Sequence, residues 1–71
     1  MAQHIIVHDY NGEVVVDVSA GNIGTLTTEV TDQGELIIRE QEPAGGWRFW
    51  RLRETRTIVL NRHQWKAVKA R

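Results

Sequence analysis

The stretch "HIIVHDYNGEVVVDVS", residues 4–19, constrains this chain more than any other. Asn11-Gly12 lies between two runs rich in alternating, β-branched residues. A two-residue type I′ turn requires that kind of dipeptide, because both of its positions take positive φ. Folding about it predicts a hairpin with Tyr10 opposite Glu13, His8 opposite Val15, Val7 opposite Val16 and Ile5 opposite Val18. One face then carries Ile5, Val7, Val14, Val16 and Val18 and belongs to a core. The other carries His4, Ile6, His8, Tyr10, Glu13, Val15, Asp17 and Ser19 and is mixed.

"TLTTEVTDQGELIIREQE" predicts a second hairpin. A three-residue Asp32-Gln33-Gly34 loop, with Gly34 left-handed, puts Leu26, Thr28, Val30, Leu36 and Ile38 on one face; a four-residue loop would split that set. "EPAGG" ends the strand. Residues 47–60, "WRFWRLRETRTIVL", read as extended but exceed the usual strand of about five or six residues, so a bend or bulge is expected near Arg53–Arg56. Alternation points Trp50, Leu52, Ile58 and Leu60 inward.

"LNRHQWKAVKAR" predicts a short terminal helix. Asn61 is a favoured N-cap, Gln64 completes a capping box, and Leu60 with Trp65 forms a hydrophobic staple. About ten residues do not hold a helix alone in water, so Trp65 and Val68 are expected to dock on the sheet or on a second subunit. The expected fold is mostly β, of the α+β class. It is a single small domain, residues 1–71, with a curved antiparallel sheet of about five strands and a short C-terminal helix.

A chain of 71 residues buries only about 60% of its unfolded surface. Such domains compensate with disulfides, a metal or self-association. Cysteine is absent, which leaves self-association and suits a reducing, cytoplasmic setting. No apolar run approaches the roughly 18 residues of a membrane span, and no basic-then-apolar leader pattern opens the chain. A soluble protein with no membrane partner is expected.

The formal charge of zero hides a segregation. Residues 1–46 hold eight acids against one base, a net −7, and residues 47–71 hold eight bases against one acid, a net +7. Asymmetry of this kind points to a polyanionic partner, or to acidic and basic parts of neighbouring copies meeting.

Within the basic part, Trp47, Arg48, Phe49, Arg51, Arg53 and Arg56 form the candidate site. Strand alternation sets Trp47, Phe49, Arg51 and Arg53 on one side. Rings stack on unpaired bases at about 1–3 kcal/mol each, and guanidinium groups neutralise phosphates, so single-stranded DNA or RNA is the expected ligand. The competing reading buries Trp47 and Phe49 in an interface rimmed by arginines, since interfaces share that composition. It makes the chain an assembly module forming a charge-complementary homo-oligomer.

Other chemistry is weaker. His4 and His8 share a strand face but stand roughly 13 Å apart, too far for one metal ion, and His63 is remote in sequence. Ser19, His4 and Asp17 have the residue types of a hydrolase triad on one surface, without an oxyanion-binding turn beside them. Glu40 and Glu42 read as solvated, or as cross-strand partners for Arg51 or Arg53. "GNIG" lacks the lysine of a phosphate-binding loop. No enzyme activity, metal, cofactor or small-molecule substrate is expected.

Finally, "TDQGELIIRE" and "TIVLNRHQW" resemble the second strand and the strand-to-helix junction of the positive-cofactor family of transcriptional coactivators, over residues 25–71. The resemblance implies a homodimer binding single-stranded DNA in transcription. It makes Trp65 and Val68 dimer or core residues, beside Trp50, which alternation already turns inward as a dimer or core residue, and sets Trp47, Phe49, Arg51 and Arg53 near the nucleic acid. The hairpin of residues 4–19 lies outside it, and the first matched strands are acidic where that family is basic.

Overall fold

The computed structural model describes residues 2–43 and 52–71. These form six strands: β1 (His4–His8), β2 (Val14–Ser19), β3 (Thr25–Val30), β4 (Leu36–Pro43), β5 (Leu52–Leu60) and β6 (Ala67–Ala70). They make two three-stranded antiparallel sheets, ordered β2-β1-β6 and β3-β4-β5. A single bridge, Ala2 with Leu26, links the start of the chain to β3. The described chain is all-β. The expected five-stranded sheet with a terminal helix is therefore incorrect.

The helix fails for a local reason. Both capping bonds form: the Asn61 amide donates to Gln64 Oε1 at 2.9 Å, and the His63 amide donates to Asn61 Oδ1 at 2.9 Å. They close one turn and no more. Trp65 then anchors to the β3–β4 turn, its Nε1 donating to the Gly34 carbonyl at 3.0 Å. The Lys66 amide bonds to the His8 carbonyl at 2.8 Å, and Ala67–Ala70 pair along β1. A helix of about ten residues is marginal in water, whereas the unpaired flank of β1 offers partners to the main-chain groups of Ala67, Lys69 and Arg71.

Both hairpins turn the same way. Around Gly34 (φ 83°), the Gly34 amide bonds to the Thr31 carbonyl and Val30 faces Leu36, the three-residue loop expected from the sequence. Around Gly12 (φ 82°) the loop also has three residues, because Asn11 does not take positive φ. The expected type I′ turn is thus corrected. Asp9 is the cause: its Oδ1 accepts the amides of Asn11 and Glu13, at 2.8 and 3.0 Å, and its carbonyl accepts that of Gly12. Ile5 faces Val18 and Val7 faces Val16 as expected, but His8 faces Val14, leaving Val15 as a bulge.

Ile5, Val7, Val18, Leu26, Leu36 and Ile38 are buried between the sheets with Ala2, and Val16, Ile58, Leu60, Trp65 and Val68 pack against them. Among the described residues seven buried apolar side chains make a small core, and Tyr10, Val14, Val15, Ile23, Val30, Leu52 and Val59 stay exposed. Leu52, expected inward, is 60% exposed. Arg56 faces Glu40 but Glu54 faces Gln41, so Thr55 is a bulge that turns over the alternation of everything before it. No helix among the described residues is long and apolar enough to cross a membrane.

Candidate functional site

β5 carries two of the candidate arginines, and both meet carboxylates on β4. Arg53 and Glu42 are directly opposed; Glu42 Oε1 accepts from Arg53 Nε at 3.0 Å. Arg56 and Glu40 are likewise opposed, and Glu40 Oε1 accepts from Arg56 Nε at 3.1 Å and from Nη2 at 2.8 Å. Arg56 Nη2 also donates to the Ser19 carbonyl at 2.9 Å, tying one sheet to the other. Trp47, Arg48, Phe49, Trp50 and Arg51 lie outside the described residues. Trp65 and Val68 are half-buried against the core of their own chain.

Glu40 is the group that sequence reasoning missed. It is 8% exposed, not solvated. Its Oε2 accepts the Gly21 amide at 2.8 Å, and the Gly21–Gly24 loop closes over it. A Cβ on Gly24 would lie 2.9 Å from that oxygen. The Gly21 amide, then Arg56 and Thr55, hold the carboxyl below its ordinary range against the opposing effect of burial. The available signal was the pair of glycines in "GNIG", which make room for a side chain rather than for a phosphate.

Arg39 on the outer face of the second sheet stands between Glu29 and Glu54, at 3.4 and 3.5 Å. Arg62, Lys66, Lys69 and Arg71 are different: none is in an ion pair among the described residues. Residues 61–71 contain no acid. Residues 25–35, spanning β3 and its turn, contain Glu29, Asp32 and Glu35 and no base. Asp32 and Glu35 are in no ion pair among the described residues.

His4 Nε2 and Asp17 Oδ1 are 2.5 Å apart and Ser19 faces His4 across the ladder. All three line an open sheet surface, and the Ser19 carbonyl is held by Arg56. That grouping ties β1 to β2 and presents no enclosed site for a substrate. Among the described residues no group of three or more His, Asp or Glu side chains is placed to hold a metal.

Comparison with known protein families, curated proteins and solved structures finds no match for this chain.

Proposed function

We propose that this chain is a non-catalytic interaction module that assembles with further copies of itself through complementary charge. The observation that carries this reading is the division of its ion pairs. Arg39, Arg53 and Arg56 are neutralised within the chain, while the bases of residues 61–71 and the acids Asp32 and Glu35 are in no ion pair among the described residues. Arg62 lies beside the Asp32–Glu35 turn, and Lys66, Lys69 and Arg71 belong to β6 and its flanks. A core of seven residues among those described, in a chain of 71, gives reason to bury more surface against a partner. The lack of cysteine suits a cytoplasmic setting.

A second reading keeps single-stranded nucleic acid as the ligand, with a role in transcription or nucleic-acid metabolism. It is favoured by four bases in residues 61–71 with no acid among them, joined in sequence to Trp47, Arg48, Phe49 and Arg51. It is weakened by Arg53 and Arg56, whose donors already face carboxylates.

Light scattering at low and high salt, run beside a labelled oligonucleotide titration, separates the two. Assembly predicts a multiple of the chain mass at low salt that falls in high salt, with no oligonucleotide bound. A single-chain mass at low salt contradicts it. Oligonucleotide binding whose log affinity falls with log salt by about 0.7 per phosphate establishes the second reading instead.

A further inference from the structure

The two sheets leave four flanking strands, β2, β5, β3 and β6. Exposed flanks pair readily with other chains, and bulges are one of the ways proteins prevent it. Both register shifts among the described residues fall on flanking strands: Val15 is the extra residue on β2 and Thr55 the extra residue on β5. The ladders of β3 and β6 contain none.

Those two regular strands differ in charge. β3 and its turn contribute Asp32 and Glu35 outside any ion pair among the described residues; β6 and the residues on either side of it contribute Lys66, Lys69 and Arg71. Their outward main-chain groups follow from the ladders. Leu26 exchanges both bonds with Ala2, away from β4, so Thr28 and Val30 point their amides and carbonyls the same way. Arg71 exchanges bonds with His4, so Val68 and Ala70 point theirs away from β1. A cleft of about 340 Å³ over Ile5 and Leu26 separates the near ends of the two strands; Ala2 covers the flank of β3 at Leu26, and the flank is open from Thr28 onward.

We infer that a second copy of this chain adds its β3 to β6 of the first. This rests on the self-assembly reading above and names its contact. The sheet β2-β1-β6 of one copy then continues into β3-β4-β5 of the next. The antiparallel register that sets Thr28 and Val30 against Ala70 and Val68 brings Lys66 opposite Asp32, beside Glu35, and Lys69 opposite Glu29. Main-chain bonds supply adhesion, as in other strand additions, and charge selects the partner strand. The contact joins two different surfaces, so it repeats head to tail into a closed ring or an open fibre.

Two sets of variants test it, read by light scattering at low salt with circular dichroism to confirm folding. Thr28→Pro and Ala70→Pro each remove one outward amide and leave the ladders to β4 and β1 intact. Each is expected to reduce the mass to that of one chain at a concentration where the native protein assembles. The charge pair is Lys66→Glu/Lys69→Glu and Asp32→Lys/Glu35→Lys. Each is expected to be a single chain alone, and the equimolar mixture is expected to assemble, because acidic strands then meet basic ones. A native protein that stays a single chain contradicts both the reading and this contact. Proline variants that assemble like the native protein, or a mixture that stays monomeric, overturn the contact alone.

Discussion

Glu40 and Arg56 face each other across β4 and β5, and the guanidinium donates twice to one carboxylate oxygen while the other oxygen takes the Gly21 amide. One side chain thus gathers a strand of its own sheet, the loop that joins the two hairpins and, through Arg56, the end of β2. The pair does so at the rim of the core, where the Gly21 amide would otherwise lack a partner.

A pH dependence follows, with a definite sign. The Gly21 amide and Arg56 lower the Glu40 carboxyl below its ordinary value. A carboxyl with a depressed folded pKa contributes stability that is present above its unfolded pKa of about 4.3 and is lost as pH falls through the lower folded value. Urea midpoints for the native protein and Glu40→Gln should therefore differ most above about pH 5 and converge in acid. A gap that stays constant down to pH about 2 would show that the charge on Glu40 contributes nothing.

Gly24 tests the same site by volume. A methyl group there meets Glu40 Oε2 at 2.9 Å and the Gln41 carbonyl at 3.4 Å. Gly24→Ala is expected to cost about 1–3 kcal/mol by overpacking, read as a lower denaturant midpoint with unchanged slope. Gly21→Ala, with its nearest neighbour 3.8 Å away, should cost less.

The two hairpin glycines separate backbone strain from crowding. Gly12 and Gly34 have nearly the same φ, 82° and 83°, so alanine at either suffers the left-handed penalty of about 1–2 kcal/mol. Only at Gly34 does the new Cβ also meet the Arg62 Cβ, at 2.9 Å, while nothing lies within 4 Å at Gly12. Thermal melts should rank Gly34→Ala below Gly12→Ala. Equal losses would mean that the 61–64 turn does not pack on the second hairpin.

Trp65 holds that same junction. Replacing it with Phe keeps most of the apolar surface but removes the Nε1 bond to the Gly34 carbonyl, at a cost of about 1 kcal/mol. Chemical denaturation measures it. A neutral outcome would place the hold of Trp65 in packing alone.

Much of this architecture can be read locally. The Gly34 loop follows from two alternating runs that share a face only in one register, and the Thr55 bulge from a strand too long to run straight. Where local signals failed, a longer-range contact decided. Asp9 captured two amides and displaced the turn that Asn11-Gly12 would make alone. Asn61 and Gln64 form their capping box, yet the chain beyond it takes the vacant flank of β1, which no window of residues 60–71 contains. Burial of Glu40 depends on a loop sixteen residues upstream folding back over β4 (its last glycine, Gly24, touches the carboxylate). The candidate ligand site divides likewise: Arg53 and Arg56 stand opposite acids whose pairing depends on the β4–β5 register, and Trp47, Arg48, Phe49 and Arg51 fall outside the described residues.

Amide hydrogen exchange at Thr28, Val30, Val68 and Ala70, followed over a concentration series at low salt, tests self-assembly most directly. In a lone chain these amides point to water and exchange without protection. The account predicts that their protection rises with protein concentration and disappears in high salt, while that of core amides such as Ile5 and Ile38 changes little. Fast exchange at all four positions, at every concentration, would contradict it.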